Sequence, residues 1–220
     1  MNIYVYIYMN IVSINGDKIV DNLLNKNSLV IDLGCNQGSF ARIILYNYNC
    51  NLIGYEPNDE TCKKSLNKIK SKYPKSKFFY KALSNEKEVK LKYFYDTVRN
   101  NNSGISNNIF TNELDDRYTF VKEKIIETIT LNEILKPHKK VDILKIDIES
   151  AEMEQLMSVD DNEIIKCDQI SVEFHYFMKE YNIQLTDIDN IITRLKNLGF
   201  KAIMIRKKHP FILFIKKKSN

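Results

Sequence analysis

The residues of this chain best suited to chemistry are acids at the predicted ends of apolar strands. In segment 29–40 a short apolar run reaches Asp32 and then two glycines four residues apart, Gly34 and Gly38. An amphipathic segment follows, so the pattern predicts a strand, a tight turn and the start of a helix. Glycines permit dihedral angles that a Cβ forbids, and they let the backbone approach a ligand closely. N–H groups at the helix start are expected to face that ligand.

The spacing of the glycines narrows the choice of ligand. No Gly-Lys-Ser/Thr follows, so the turn is not a phosphate-binding loop, and the dinucleotide pattern G-x-G-x-x-G is incomplete. An acid two residues before the first glycine suits a cationic ligand without phosphates, such as an adenosyl sulfonium cofactor. A further acid, Glu56, ends the next apolar segment about 20 residues on, where doubly wound folds place the acid that binds ribose hydroxyls.

The second acid-rich segment, residues 141–152, reads V-D-I-L-K-I-D-I-E-S-A-E. Its largely apolar start is typical of a strand buried on both faces. Asp147, Glu149 and Glu152 follow where this strand gives way to a helix. A helix start stabilises acids through its dipole without any catalytic duty, so structural roles for Glu149 and Glu152 stay open.

Strand-like and helix-like segments alternate for most of the length, which predicts an α/β fold with a mostly parallel sheet and helices on both faces. Segments 200–205 and 211–215 predict an antiparallel C-terminal hairpin. Ligands in such sheets bind beyond the carboxyl ends of the strands, where the strand order reverses. Four acids end predicted strands and should share this rim: Asp32, Glu56, Asp147 and Glu173.

The N-terminal part of the chain carries its own predictions. The apolar spacing over 19–24, after an Asn-Gly-Asp turn, predicts a helix leading into the first strand. Residues 3–8 alternate aliphatic residues and tyrosines like a strand. We predict one domain, 1–220, in which 1–27 form a strand and helix extension and 28–220 form the core.

Two predictions concern the middle of the chain. Residues 77–83 favour a third strand, and residues 97–108, the longest polar stretch, favour a loop that is functional or mobile. Thr130 and Glu133 fit a capping box that opens a short helix, which Pro137 ends.

Composition excludes several classes of protein. A chain with 44% apolar and 28% charged residues is expected to fold rather than remain disordered. The net charge of +5 is modest, and basic runs such as those at 206–208 and 216–218 are usually solvated faces or tails. Nucleic acid is therefore a less favoured partner than a small molecule. The four cysteines lack C-x-x-C spacing, which indicates a reducing, cytoplasmic location. The apolar N-terminus is too short for a membrane span and lacks the basic residues of a signal peptide.

With both acid-rich segments in view, the chain resembles the FkbM family of class I S-adenosylmethionine-dependent methyltransferases. The matching strings are V-I-D-L-G-C-N-Q-G-S-F at 30–40, Y-E-P-N at 55–58, A-L-S at 82–84, S-G-I-S at 103–106 and D-I-L-K-I-D-I-E-S-A-E at 142–152. The last string is the most specific, although Ser150 stands where the family usually has glycine. The resemblance spans about residues 28–175 and implies a doubly wound, Rossmann-like seven-stranded sheet.

The resemblance also implies S-adenosylmethionine as the cofactor and a role for each matching residue. Those expected to enclose its methionine part are Asp32, Gly34, Asn36 and Gly38. Glu56 would hold the ribose, Ser84 would lie beside the adenine, and Asp147 would lie near the amino group and the transferred methyl. Asn58, in the same string as Glu56, is counted with the cofactor-binding residues, and either Asn58 or Asp59 can cap the following helix.

The implied reaction is in-line methyl transfer to a hydroxyl, and a sugar or glycan is the first candidate acceptor. A hydroxyl also loses a proton, for which Asp147 is the first candidate base, followed by His175 or Glu149. A lone histidine at a strand end is more often structural, so that role for His175 stays open. The alternatives are an RNA methyltransferase and a non-catalytic adenosine-binding module. Asp147, Glu173 and His175 could hold Mg²⁺ or Mn²⁺, but the resemblance does not call for a metal and we predict none.

Overall fold

The computed structural model describes residues 10–96, 101–106, 118–149, 151–175, 185–206 and 211–217. The strands, in chain order, are β1 Ile11–Ile14, β2 Asp17–Val20, β3 Leu29–Leu33, β4 Asn51–Tyr55, β5 Ser76–Phe79, β6 Ala82–Leu83, β7 Glu88–Asp96, β8 Asn101–Ser106, β9 Tyr118–Ile129, β10 Ile143–Ile146, β11 Gln169–Glu173, β12 Phe200–Arg206 and β13 Phe211–Lys216. The α-helices are α1 Ser39–Tyr48, α2 Asp59–Lys72, α3 Leu131–Leu135, α4 Glu152–Ser158, α5 Asp161–Ile164 and α6 Leu185–Asn197.

The main sheet has seven strands in the order β12-β13-β11-β10-β3-β4-β5. The five strands from β11 to β5 are parallel to one another, while β12 and β13 form an antiparallel hairpin at one edge. The predicted fold class is confirmed. The chain runs outward from β3 through β4 to β5, and later returns on the other side of β3 as β10. The strand order therefore reverses between β3 and β10, and a ligand is expected beyond their carboxyl ends.

Helices cover both faces of this sheet, as predicted. On β3, Ile31 and Leu33 face the larger apolar cluster, which includes residues of α4 and α6. The alternate residue Val30 faces a second cluster that includes residues of α1 and α2. Successive strand residues point to opposite faces, so the apolar run of β3 serves both clusters.

The N-terminal helix predicted over 19–24 is wrong. β1 and β2 pair as an antiparallel hairpin, and a single 3-10 turn, Asp21–Leu23, follows it. Asn15 and Gly16 both have positive φ angles, 53° and 97°, as a tight two-residue hairpin turn requires. The Asn-Gly pair and the β-branched residues beside it outweighed the weaker helical spacing. The strand predicted over 3–8 lies outside the described residues.

A second sheet has the order β6-β9-β7-β8. The sequence indicates an extra, locally paired strand over 89–95 and a strand over 120–129, which β7 and β9 confirm, but it does not predict that they form a separate sheet. The strand expected over 77–83 is divided: β5 joins the main sheet, whereas β6 pairs with β9. The loop expected over 97–108 is wrong for residues 101–106, because β8 pairs antiparallel with β7 along its whole length. Pairing with β7 overrides the low strand propensity of this asparagine-rich sequence.

The capping box at α3 is confirmed. Thr130 Oγ1 accepts a hydrogen bond from the Glu133 N–H at 3.2 Å, and Glu133 Oε2 accepts one from the Thr130 N–H at 2.8 Å. Across the ranges given above, each helix is too short or too polar to cross a lipid bilayer.

Candidate active site

The turn between β3 and α1 holds the two glycines of the sequence pattern. Gly34 has a φ of 75°, and a Cβ placed on it would overlap the backbone carbonyl oxygen of Asp147. Gly38 has a φ of 81°, and its Cβ would overlap the side chain of Ile69 on α2. A side chain is therefore excluded at Gly34 by the end of β10 and at Gly38 by the packing of α2. The first glycine joins the turn to the second acid-rich segment.

The four predicted rim acids lie at one edge of the sheet. Leu33 at the end of β3 is in register with Tyr55 on one side and with Ile146 on the other. Glu56 and Asp147 directly follow those two partners. Asp32 precedes Leu33, and Glu173 ends β11 beside β10. Their predicted meeting at a common edge is therefore observed.

Backbone N–H groups hold both carboxylate oxygens of Glu56. Oε2 accepts a hydrogen bond from the Asn36 N–H in the glycine turn at 2.8 Å, and Oε1 accepts one from the Asn58 N–H at 2.9 Å. Asn58 also caps α2, because its Oδ1 accepts a hydrogen bond from the Thr61 N–H at 3.2 Å. Burial raises the pKa of Glu56, and the two N–H groups oppose that shift. Each oxygen keeps a second lone pair, so this fixed carboxylate can accept from two neighbouring hydroxyls.

Ser84 lies just beyond β6 and is 8% exposed. Its hydroxyl oxygen accepts a hydrogen bond from the Glu86 N–H at 3.1 Å, which stabilises the turn that follows. Its place beside an adenine ring remains a prediction.

A buried lysine, Lys145 on β10, connects the acids of two strand ends. Its Nζ lies 3.2 Å from Oδ1 of Asp32 and 3.5 Å from Oδ2 of Asp147, and it donates a hydrogen bond to the Gly34 carbonyl oxygen at 3.2 Å. Burial raises the pKa of Asp32, and Lys145 opposes that shift. Burial alone lowers the pKa of Lys145, but Asp32 and Asp147 outweigh it and raise the pKa overall, so the amine stays charged.

Lys145 was not among the predicted site residues. The signal in the sequence is one lysine inside the apolar run I-L-K-I. A lysine on a strand buried on both faces needs a carboxylate partner, because an unpaired buried charge is too costly. The fully buried carboxylate of Asp32 is that partner, so Asp32 contacts Lys145 rather than standing open to a ligand.

Acids and an imidazole form a second group at the same edge. His175, which is 7% exposed, places Nδ1 at 2.8 Å from Oε1 of the fully buried Glu152. Its Nε2 lies 3.8 Å from Oδ1 of Asp147 and 3.7 Å from Oε2 of Glu149. The same Glu152 oxygen accepts a hydrogen bond from the Ile148 N–H at 3.0 Å. Glu152 therefore orients the imidazole toward the two other acids, a role beyond the helix-dipole effect considered for it.

The charge of His175 follows from these neighbours. Burial alone lowers its pKa, but Glu152, Glu149 and Asp147 together raise the pKa to about 9. The imidazole is therefore protonated at neutral pH. Glu149 reaches this group through a left-handed backbone conformation, with a φ of 53°. Non-glycine residues adopt such angles at a cost of about 1–3 kcal/mol, often at functional sites.

The donor atoms of this group have spacing that a divalent cation could use. One ligand atom each from Asp147, Glu149 and His175 lie within 4.8 Å of one another. The possible ligands named from the sequence were Asp147, Glu173 and His175, whereas the structure groups Glu149, not Glu173, with Asp147 and His175. Hard cations bind such carboxylates, but a protonated imidazole has no lone pair to offer a metal.

A family model for the methyltransferase FkbM domain matches residues 32–202 of this chain. The matched region includes the glycine turn, Glu56, Lys145 and the cluster around His175. No curated protein sequence gives a significant match.

The chain is similar to solved methyltransferase structures at low sequence identity. An rRNA methylase from Streptococcus thermophilus superposes with a TM-score of 0.50 and 7% identity, covering 90% of this chain and 91% of that one. A putative methyltransferase from Streptococcus mutans in complex with SAH gives 0.47 and 9%, covering 89% and 92%. A Methanococcus jannaschii fibrillarin pre-rRNA processing protein gives 0.48 and 10%, covering 97% and 84%. At 7% identity the likeness to the rRNA methylase shows the fold alone.

The family match covers most of the chain and includes the site residues from Asp32 to His175. A glycine turn without room for a side chain and a carboxylate held for a diol fit an adenosyl sulfonium cofactor. The chain belongs to the FkbM methyltransferase family and is an S-adenosylmethionine-dependent methyltransferase.

Proposed function

We propose that this methyltransferase acts on a hydroxyl oxygen of a sugar, a glycan or a related small molecule. The observation that carries the proposal is the group formed by Asp147, Glu149 and His175, directly beside the glycine turn. A hydroxyl acceptor must lose a proton as its oxygen is methylated, and carboxylates placed at the point of transfer can receive it.

The proposed cofactor site follows the edge of the sheet. The turn formed by Gly34, Asn36 and Gly38 would hold the methionine part, with Asp32 and Lys145 beneath it. Glu56, held by the Asn36 and Asn58 N–H groups, would accept hydrogen bonds from the ribose diol. We keep Ser84 as the residue beside the adenine. S-adenosylmethionine supplies a methyl group on a sulfonium, which is already a good leaving group, so positioning of the acceptor contributes most to the rate.

The charge of His175 decides which group takes the proton. A protonated imidazole cannot act as a base, so the two carboxylates facing its Nε2 are the candidates. The side chain of Glu149 is 64% exposed, so this carboxylate can take the proton of an acceptor and pass it to solvent. We propose that Asp147 orients the acceptor next to the methyl group and that Glu149 receives its proton. His175 holds both carboxylates in place.

The charges around the site favour an acceptor without phosphates. Asp147, Glu149 and Glu173 lie at the edge where the acceptor would enter, and they would repel a nucleic-acid backbone. Of the two basic runs, the one at 216–218 begins at Lys216. Its partner in β12 is Phe200, at the opposite edge of the sheet from Glu173. The other run begins with Arg206, which lies at the same edge of the sheet as Glu173 because both pair with Phe211. Residues 207 and 208 lie outside the described ranges.

A methyl-transfer screen with labelled S-adenosylmethionine tests this proposal. Sugars, glycans, small hydroxyl compounds and RNA are offered to the wild type and to Asp147→Asn, Glu149→Gln and Asp189→Asn variants. Asp189 is an exposed acid on α6 and serves as the matched control. We expect transfer to a hydroxyl compound, a fall of roughly 10²- to 10⁴-fold in kcat for Glu149→Gln, and no change for Asp189→Asn.

Two results would contradict the proposal. Transfer to RNA with a steep dependence on salt would identify the acceptor as nucleic acid. Heat of binding with S-adenosylhomocysteine but no transfer to any pool would identify a binding module.

We also propose, as the sequence predicts, that the protein is cytoplasmic and that its single domain consists of an N-terminal extension and a core. Cys35, Cys50, Cys62 and Cys167 are all free thiols and all buried, as is usual in a reducing compartment. The core would begin near residue 28, with the hairpin of β1 and β2 as an extension of the same domain. Limited proteolysis that cuts within residues 28–220 before it removes this hairpin would contradict that division.

A further inference from the structure

The positive charge of this protein is concentrated in one segment, residues 61–85. This segment contains eight lysines and no acid, whereas the whole chain, with 28 acids, has a net charge of only +5. The segment therefore carries a charge of +8 and the rest of the chain a charge of −3. Two of the lysines have partners in the protein: Lys75 donates to two backbone carbonyls, and Lys81 pairs with Glu127 at 3.1 Å.

Five of the other lysines lie on α2 and form what we call the lysine face: Lys63, Lys64, Lys68, Lys70 and Lys72. All five are exposed to solvent. The opposite side of the helix packs into the protein through Cys62, Leu66 and Ile69, which are buried. α2 therefore lies flat against the domain and presents its lysines outward.

Few carboxylates are placed to neutralise the lysine face. The acids of α2, Asp59 and Glu60, lie in its first turn, and Asp59 is paired with Lys124 on β9. The neighbouring helix α1 contains no acid and adds the exposed Arg42. Among the described residues, no ion pair joins a carboxylate to the lysine face. The anions that balance this face must therefore come from outside the described part of the protein.

The spacing of these lysines does not stabilise the helix. Lys64, Lys68 and Lys72 follow one another at four-residue intervals, which places them on the same side of α2. Like charges at this spacing destabilise a helix, whereas acids alternating with lysines stabilise it. The helix dipole favours Lys70 and Lys72 in the last turn, but it gives no such support to Lys63. Helix stability therefore does not account for the pattern, whereas an anionic partner would.

The residues of this segment distinguish between two common polyanions, nucleic acid and an anionic lipid surface. Sites for nucleic acid usually combine arginine with exposed aromatic rings on which bases stack. Segment 61–85 contains no arginine. Tyr73, Phe78 and Tyr80 pack against the cluster of α1 and α2, and Phe79 stacks on Tyr55 with ring centroids 5.2 Å apart. The lysine face therefore lacks the groups that read or stack bases.

An anionic lipid surface requires only a high density of positive charge. Clusters of roughly four to eight lysines or arginines on an amphipathic helix are typical of binding to anionic lipids. Lysine is suited to this task because its ammonium is a compact charge on a flexible stem and needs no fixed geometry. The cytoplasmic leaflet of a membrane carries such lipids, which agrees with the proposed location.

We propose that this methyltransferase binds the surface of anionic lipid bilayers through the lysine face of α2, without inserting a segment into the bilayer. α2 begins directly after Asn58, whose N–H holds Glu56, so the lysine face starts near the rim of the site. The acceptor-side residues Asp147, Glu149 and His175 follow β10 and β11, on the other side of β3. A bilayer at the lysine face would therefore leave them accessible. This binding would depend neither on the cofactor nor on the identity of the acceptor.

Sedimentation with lipid vesicles tests the proposal. The full chain is mixed with vesicles of phosphatidylcholine alone, or with vesicles that contain about one third phosphatidylglycerol or phosphatidylserine. At low salt we expect binding to both anionic compositions and none to phosphatidylcholine. Salt screens exposed charges, so the affinity should fall at least tenfold between about 0.05 M and about 0.5 M NaCl.

A triple variant locates the binding surface. Lys63→Gln, Lys64→Gln and Lys68→Gln together remove three charges from the lysine face. Each lysine near an anionic surface contributes about fivefold to the affinity, so this variant should bind the anionic vesicles roughly 100-fold more weakly. Its Tm should not fall, because contacts between like charges are removed.

A second triple variant is the matched control. Lys139→Gln, Lys196→Gln and Lys201→Gln together remove three exposed lysines outside the lysine face and give the same net charge. We expect this control to retain the wild-type affinity for anionic vesicles to within about threefold.

Three results would overturn the proposal. The first is equal binding to neutral and anionic vesicles, or no binding to either at low salt. The second is a control variant that loses as much affinity as the lysine-face variant, because net charge alone would then explain the loss. The third is RNA that binds the wild type more tightly than anionic vesicles do and loses affinity in the lysine-face variant, which would identify nucleic acid as the partner.

Discussion

The backbone carbonyl oxygen of Asp147 occupies the space that a Cβ on Gly34 would need. The glycine turn after β3 and the acid after β10 are therefore packed backbone against backbone, although Gly34 and Asp147 are 113 positions apart in the chain. The same contact area includes Lys145, whose amine bonds the Gly34 carbonyl and lies beside Asp147. The floor of the cofactor site and its nearest acid are thus one rigid unit.

Replacing Gly34 by alanine should disrupt this unit. The positive φ alone costs about 1–2 kcal/mol for an alanine, and the overlap with Asp147 adds to that cost. We expect a lower Tm and binding of S-adenosylhomocysteine at least about tenfold weaker by calorimetry. Gly199→Ala is the matched control, because Gly199 has a φ of 93° with open space around its Cβ position. Equal effects of the two substitutions would show that the contact with Asp147 is unimportant.

Glu56→Gln should weaken cofactor binding with little loss of stability. The amide NH₂ cannot accept the N–H of Asn36 or Asn58, so one of the two bonds that hold the side chain is lost. We expect a roughly 10- to 100-fold loss of affinity for S-adenosylhomocysteine, the size of a charge-assisted hydrogen bond. The exposed Glu88 on β7 provides a Glu88→Gln control. Unchanged affinity in Glu56→Gln would remove Glu56 from the ribose site.

The parallel core was predictable because its signals are local and repeated. Each apolar run, such as 29–33, ends in a turn or an acid, and the alternation with helices fixes the sheet type. The rim acids followed from the same rule, because parallel strands carry their ends to one edge. Asn58 and Thr130 were predictable as caps from the residues that follow them.

What could not be predicted depended on partners distant in sequence. β8 is a strand because β7 offers it an edge, which no residue between 101 and 106 announces. Lys145 could not be assigned to the site from the sequence, because its partners, Asp32 and Gly34, lie more than a hundred residues earlier. The role of Glu152 required its distance to His175 across two elements. The sequence places Asp17 in a predicted turn, whereas its burial is a property of the fold.

Lys145→Met should destabilise the protein strongly. It leaves the fully buried Asp32 without its counter-charge, for which the usual cost is about 3–5 kcal/mol. Urea unfolding at pH 7 measures this loss. The double variant Lys145→Met with Asp32→Asn should recover part of the stability, because no buried charge is then left unpaired. If the double variant is no more stable than Lys145→Met, the ion pair does not explain the effect.

Stability should fall with rising pH through the titration of His175. Its folded pKa is raised to about 9 from an ordinary value of 6.5. A group with a raised pKa contributes stability fully below its unfolded pKa and loses it as the pH rises through the folded one. We expect a loss of up to about 3 kcal/mol between pH 6.5 and pH 9 in urea unfolding. His175→Gln should flatten the curve in this window, and a wild-type curve that is already flat there would contradict the assignment.

Methyl transfer should continue after divalent cations are removed. Asp147, Glu149 and His175 are close enough to hold an ion, but the imidazole is protonated at neutral pH and Glu152 engages its other nitrogen. A metal would have to displace that proton before it could bind. We expect dialysis against EDTA to leave kcat and the Tm unchanged, and added Mn²⁺ to bind only weakly by electron paramagnetic resonance. Activity lost in EDTA, restored by Mn²⁺ and absent in Glu149→Gln under both conditions would instead make these three residues metal ligands. Glu149 would then bind an ion and could not serve as the base.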